Sequence, residues 1–208
     1  MKKIITPAEA GRELEYDRWA KGVMPMMHVT VTLDFTHLIR YCKKHKEIPV
    51  HAATCYCIGR AADKIRECHL LVTDDGFVWS DIINTQTVIK DKKGDLRYVE
   101  FAPKETLSEY AVQYRQVIKE AREKCEHHFL GDGICIGTSC ASTRLVIDSC
   151  ANQYTGDFNN LFLMWGAFRR TFFRRYKLAM TVQFHHVQIN GGEICLLFEN
   201  IQDEINSL

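Results

Sequence analysis

An α/β fold of two layers, a mixed sheet covered by helices, is the architecture this sequence predicts. Three observations lead to it. Short runs with apolar residues at every second position, the period of a strand, alternate with segments whose apolar residues recur every three or four positions, the period of a helix. The strand-like runs lie apart along the chain, so helices must fall between them and cover the sheet they build. The chain of 208 residues is 46% hydrophobic and has only four prolines. No linker, repeat or low-complexity tract divides it, so a single domain over residues 1–208 is expected.

The elements follow in order. HVTVTLDF (28–35) alternates and reads as a strand. Thr36 is placed to cap a short helix over HLIRYCKKHK. Pro49 suits the first turn of a longer helix through residue 68, where Ala53, Cys57, Ala61 and Ile65 share one face. TDDGF (73–77) is turn chemistry. DIINTQTVIKD and LRYVEF predict two strands joined through DKKGD as a hairpin. Residues 106–128 predict a long amphipathic helix with Leu107, Tyr110, Tyr114, Val117, Ile118 and Ala121 on one side, ended by Gly131-Asp132-Gly133. ICIGTS and RLVID (144–148) read as short strands. RRYKLAMTVQFHH (174–186) predicts a strand with Leu178, Met180, Val182 and Phe184 on one face. EICLLFENIQDEI predicts the last helix.

Charge narrows the function. Twenty-seven basic residues face 26 acidic ones, a net charge of +1, which gives no footprint for nucleic acid or an anionic membrane. No apolar run is long enough to span a bilayer. The opening residues lack the apolar stretch of a signal peptide, so a cytoplasmic protein is expected. Nine cysteines are scattered with no C-x-x-C spacing. Cys55, Cys57, Cys135, Cys150 and Cys195 lie in apolar segments, as reduced, buried thiols do. Cys55-Tyr56-Cys57 is too tight for a zinc site, and no metal is expected.

The stretch TVQFHHVQINGGEICLLF (181–198) carries the chemistry. Strand alternation separates His185 from His186 and puts His186 on the side of Phe184, Val182 and Met180. An apolar neighbourhood disfavours the imidazolium and keeps a neutral base at hand near pH 7. Asn190-Gly191-Gly192 then lets the backbone turn sharply and another group approach closely. Spacing alone, however, favours a structural histidine.

Beyond spacing, QFHHVQINGGEICLLFENIQ is similar to the signature of the chloramphenicol acetyltransferase family of CoA-dependent acyltransferases: two histidines, three residues, an acid, a glycine, then a helix. The order of the remaining pieces from about residue 9 onward resembles that family too, with SCAST (139–143) where the family has a serine and a bend, and GDFNNLFLMWGAF (156–168) before the last strand. The resemblance implies an acetyl-CoA-dependent O-acetyltransferase with no metal, acting on a small-molecule hydroxyl acceptor such as chloramphenicol, and raises antibiotic resistance as a role. It implies His186 as the general base, Ser139 as a hydrogen-bond donor to the oxygen that gains charge, and His185 as structural support. It implies a homotrimer, with the histidine from one chain and much of the acceptor pocket from its neighbour.

The sequence departs from the family at three places. Asn190 stands where the family has an aspartate that pairs with an N-terminal arginine. That arginine is Arg12 or, one register away, Arg18. With no carboxylate at 190, the arginine needs another acceptor. Tyr16 and Trp19 offer an aromatic wall for the acceptor, and Leu163 takes the place of a family threonine near the pocket. The basic run RRTFFRRYK (169–177) reads as a solvated turn, with a cationic rim for CoA phosphates as the second reading. Two other functional classes compete: a catalytically weakened relative that keeps a ligand-binding or structural role, and a metal-dependent hydrolase built on His127, His128, His185 and His186, which lacks carboxylates at ligand spacing.

Overall fold

The period-two and period-3.6 segments assemble into one large sheet with helices against one side. The computed structural model describes residues 2–152 and 159–208. In chain order the elements are β1 (Lys3–Ile5), α1 (Pro7–Ala10), α2 (Glu13–Trp19), β2 (Met26–Asp34), α3 (Thr36–Lys44), α4 (Val50–Asp63), β3 (Leu70–Thr73), β4 (Gly76–Trp79), β5 (Ile83–Lys90), β6 (Leu96–Phe101), α5 (Leu107–Lys124), β7 (Ile134–Cys140), β8 (Phe162–Trp165), β9 (Arg169–Thr171), β10 (Arg175–His185) and α6 (Gly191–Asn206). A 3₁₀ turn over Arg66–His69 follows α4.

Among the described residues the large sheet runs β2-β10-β8-β7-β5-β6, with β9 paired to β10. It is mixed: β7 runs parallel to both β5 and β8, and the other pairs are antiparallel. The β5–α5–β7 connection is the helix crossover that a parallel pair requires. A second sheet, β1-β4-β3, is small. No strand in it exceeds four residues, too short for a period to show in the sequence.

Alternation divides the large sheet into two faces. Ile83, Ile89, Val99, Phe101, Ile136, Leu163, Trp165, Leu178, Met180, Val182 and Phe184 point to the helices and form the main core with α3, α4, α5 and α6. Helix α4 lies at its centre. Its Gly59 lets the helix sit close on β5, since a Cβ there would come within 3.1 Å of Thr85 Cγ2. The opposite face carries Gln86, Val88, Lys90, Tyr98, Ser139, Phe162, Met164 and Gln183, and no helix among the described residues covers it.

Several expectations are corrected. Helix α4 ends at Asp63 rather than 68, and Pro49 sits just before its first residue. Helix α5 stops at Lys124, because Cys125 adopts a left-handed conformation that closes it. Residues 144–148 form no strand: the Ser142 Oγ accepts the N–H groups of Arg144 and Leu145, which diverts that backbone into a local turn. The basic run is a β9–β10 hairpin with Phe172 and Phe173 exposed at its tip. Cys195 lies on the exposed side of α6, and Cys150 is only partly buried. The described part of GDFNNLFLMWGAF supplies β8; its residues 156–158 lie outside the described residues. No helix among the described residues is long and apolar enough to cross a membrane.

Candidate active site

Strand β10 ends at His185, one residue before the expected base. The core-facing series therefore closes at Phe184, and His186 opens the turn that leads into α6. His185 is 2% exposed. Its Nδ1 accepts the Val187 N–H at 3.2 Å, so the ring is held as a neutral acceptor at that nitrogen. Burial, with the neighbouring His186 adding to it, pushes its pKa down to about 4. His186 is half-buried, its N–H donates to the Pro25 carbonyl at 2.9 Å, and its ring lies 5.9 Å from that of Trp19. The His186 Nδ1 is fully enclosed and has no hydrogen-bond partner among the described residues.

Arg12 locks this turn from the inside. The guanidinium is buried and donates to three acceptors of one segment: the Val187 carbonyl (2.9 Å), the His186 carbonyl (3.2 Å) and the Asn190 Oδ1 (3.1 Å). Its remaining nitrogen pairs with Glu15 at 3.3 Å. The rigid fork of arginine suits such a multi-acceptor task. Arg18 is exposed in the last turn of α2 and takes no part. Asn190 precedes the first residue of α6 without using its side chain as a cap, because that oxygen serves Arg12. Helix α1 explains how Arg12 arrives there: the Thr6–Glu9 capping box starts it, and Gly11, at φ 67°, ends it and turns the chain.

The other expected residues scatter. Trp19 stands beside His186 and is half exposed. Tyr16 does not join it: its hydroxyl donates to the Thr73 and Asp74 carbonyls, and its ring packs on Phe77, 5.6 Å away, under the small sheet. Leu163 faces the helices and is fully buried, so alternation puts Phe162 and Met164, not Leu163, on the open face.

Ser139 lies on that open face, partly buried, and its hydroxyl has no hydrogen-bond partner among the described residues. It borders a cavity of about 910 Å³ shared with Gln86, Val88, Lys90, Tyr98, Phe129, Phe162, Met164 and Gln183. Gly137 makes room for this arrangement, because a Cβ there would collide with the Phe162 ring laid across β7. Residues at Gln86, Tyr98, Phe129 and Gln183 carry this cavity but no sequence motif. Only the period-two pattern of β5, β6 and β10, once the paired strands are known, puts Gln86, Tyr98 and Gln183 on the same side as Ser139, and Phe129 reaches it from the segment after α5.

Within one chain, Ser139 and His186 are far apart. Ser139 pairs with Met164 and Met164 with Thr181, so the three form a row across the sheet. From Thr181 to His185 is four residues along β10. Two strand spacings and four residues of rise put the backbone of His185, the residue before His186, on the order of 16 Å from that of Ser139. No group of three or more histidine, cysteine, aspartate or glutamate side chains able to hold a metal occurs among the described residues. His127 instead accepts the Tyr98 N–H through Nδ1 and stacks on Tyr98 and Phe129.

A solved chloramphenicol acetyltransferase superimposes on 99% of this chain and all of its own, with a TM-score of 0.81 at 18% identity. The fold is that of chloramphenicol acetyltransferase. A probable dihydrolipoamide acetyltransferase from Listeria monocytogenes shares this chloramphenicol acetyltransferase fold at TM-score 0.72 and 13% identity, over 99% of this chain and 94% of its own. So does the dihydrolipoamide acetyltransferase of Azotobacter vinelandii, at TM-score 0.71 and 13% identity, over 99% of this chain and 91% of its own. In that enzyme a serine, a histidine and an asparagine four residues beyond the histidine were investigated for their role in the catalytic mechanism. No protein-family model matches the chain, and no curated protein matches it in sequence.

Proposed function

We propose that the protein is an acetyl-CoA-dependent O-acetyltransferase whose active site is completed by two copies of the chain. The observation that carries this reading is the pair of unsatisfied groups at opposite ends of the sheet. The half-buried His186 has no hydrogen-bond partner for its Nδ1, and Ser139 has none for its hydroxyl at the edge of a large cavity, both among the described residues. With the backbones of Ser139 and His185 on the order of 16 Å apart, and His186 one residue further on, the two side chains of one chain cannot serve one reacting carbon. Brought together from neighbouring copies they can, and a closed ring such as the trimer repeats that juxtaposition at every interface.

In that arrangement acetyl-CoA supplies the activated acetyl group. His186, neutral, takes the proton from the acceptor hydroxyl through Nε2 as its oxygen attacks, and returns it to the departing thiolate. Ser139 O–H donates to the oxygen on which negative charge gathers. His185 and Arg12 fix the turn: one accepts the Val187 N–H, the other gathers two carbonyls and Asn190. Asn190 stands four residues beyond His186, the spacing of the histidine and asparagine studied in the Azotobacter enzyme. A neutral residue at this position therefore does not by itself argue for a weakened relative. Chloramphenicol is one acceptor to test, and resistance to it one role.

Complementation separates a shared site from a site within one chain. His186→Ala and Ser139→Ala are each inactive in thiol release from acetyl-CoA. Unfolded together and refolded as a mixture, they recover about a quarter of wild-type activity, because random assembly gives that share of interfaces an intact histidine and an intact serine. Recovery near zero, with both variants assembled, rejects the shared site.

A further inference from the structure

The open face of the sheet continues past Ser139 into a second cavity of about 230 Å³ that shares Gln86 and Phe129 with the first. At its wall stands Glu100, 8% exposed, with no ion pair among the described residues. A carboxylate this deep without a cation is costly, so its surroundings indicate what it expects. Glu100 already accepts from the Leu130 N–H at 2.7 Å and the Gln86 Nε2 at 3.3 Å. The Cys135 thiol, kept protonated by burial and by its hydrogen bond to Glu100, is a third neighbour.

Each side-chain donor around this cavity already has an acceptor. The Gln86 amide N–H serves Glu100, and the Asn160 Nδ2 serves the Cys135 carbonyl at 2.7 Å. Asn84, opposite Cys135 in the β5–β7 pair, gives its Nδ2 to the Asp132 carbonyl and keeps a fully buried Oδ1 with no donor among the described residues. Lys2, on the rim, is exposed and gives its Nζ to the Gly131 carbonyl at 3.4 Å. Among the described residues, the buried charged group of this wall that lacks an ion pair is the Glu100 carboxylate, and the Lys2 ammonium stays at the rim. The complement of that carboxylate is a compact cation with several N–H donors, which is an ammonium group.

Register sets the scale. Glu100 pairs with Gln86, Gln86 pairs with Gly137, and Ser139 follows two residues along β7 on the same face. Two strand spacings and two residues of rise put Glu100 on the order of 12 Å from Ser139. Between them lies the apolar floor of Val88, Tyr98, Phe129 and Phe162.

We propose that the acceptor is an amino alcohol, with its ammonium group held by Glu100 and an apolar span of roughly ten atoms leading to the hydroxyl acetylated beside Ser139. This rests on the acetyltransferase reading of the Ser139 cavity. The probes are 8-amino-1-octanol, 1-octanol and 8-hydroxyoctanoate, each measured by calorimetric binding to the protein and by thiol release from acetyl-CoA, with the ester identified by mass spectrometry. The ammonium probe binds tenfold or more tightly than 1-octanol, and kcat/KM follows that preference. Glu100→Gln brings the binding ratio to near one, whereas Glu100→Asp keeps the ammonium preference. Retained melting temperatures show that both variants fold. An ammonium preference unchanged in Glu100→Gln, a preference for the neutral or anionic probe, or no binding by any probe overturns the inference. Ammonium binding through Glu100 without thiol release for any probe rejects the transferase reading and leaves the cation site standing.

Discussion

The two faces of the large sheet are built from the same strands, yet they treat polar side chains differently. Toward the helices the threonine hydroxyls and His51 close on the protein. Thr85 bonds the Tyr110 hydroxyl, Thr87 donates to the Thr138 carbonyl, and Thr138 donates to the Gln86 carbonyl. His51 shares hydrogen bonds with Tyr114 (3.1 Å) and Cys55 (3.4 Å) and lies under Trp165. On the other face Ser139 has no partner, Asn84 keeps an orphan oxygen, and Glu100 lacks a cation, all among the described residues. Networks that close internally specify packing, while polar groups left open toward a cavity are the ones a ligand or a neighbouring copy can satisfy.

The sharpest way to break this contrast is at the turn. His186→Ala lowers kcat for acetyl transfer by roughly 10²–10⁴-fold with the melting temperature retained, measured by thiol release and calorimetry. Unchanged turnover removes His186 from the chemistry.

The closed face has its own signature in acid. Burial lowers the His51 pKa to about 4, against an ordinary 6.5. Between those values the unfolded chain binds a proton that the folded chain refuses, so stability falls as pH drops from 6.5 towards 4, and the loss levels off below 4. Urea unfolding at pH 7 and pH 4.5 reads a loss of about 2–3 kcal/mol from His51, absent in His51→Gln, on top of the similar contribution of His185. A wild type equally stable at both pH values contradicts the buried neutral rings.

Arg12 tests how the turn is held. Arg12→Met leaves two carbonyls and the Asn190 oxygen without their donor, which costs about 2 kcal/mol in urea unfolding. A change below the error of the titration places the rigidity elsewhere. Asn190→Asp has the smallest effect: the 3.1 Å bond to Arg12 becomes charge-assisted, adding about 0.5–1 kcal/mol. A loss of stability instead shows that Glu15 already satisfies the arginine's charge.

Much of the fold was legible because its cause is local. The period of Leu178, Met180, Val182 and Phe184 and the apolar stripe of α5 require only a few neighbours in sequence, and both match the core. RLVID also alternates acceptably, but Ser142 captures its backbone, a competition that period alone does not weigh. Tyr16 and Trp19 look equivalent as an aromatic wall. Three residues apart on a short helix, one packs under the small sheet and the other reaches His186. Leu163 was placed near the pocket by chain order, whereas the pleat turns it inward and gives its neighbours to the cavity.

By itself the sequence determined the longer strands of the large sheet and the helices that cover it, and it marked the paired histidines before Asn-Gly-Gly as the place to look. Periodicity and turn chemistry act over a few residues, so a linear reading can follow them. The tertiary structure alone decided that Arg12, 174 residues before His186, ties that turn, and that Gln86 borders both the Ser139 cavity and the Glu100 cavity. Those facts depend on which strands pair and in what register, and strand register is fixed by burial summed over the whole sheet rather than by any one segment.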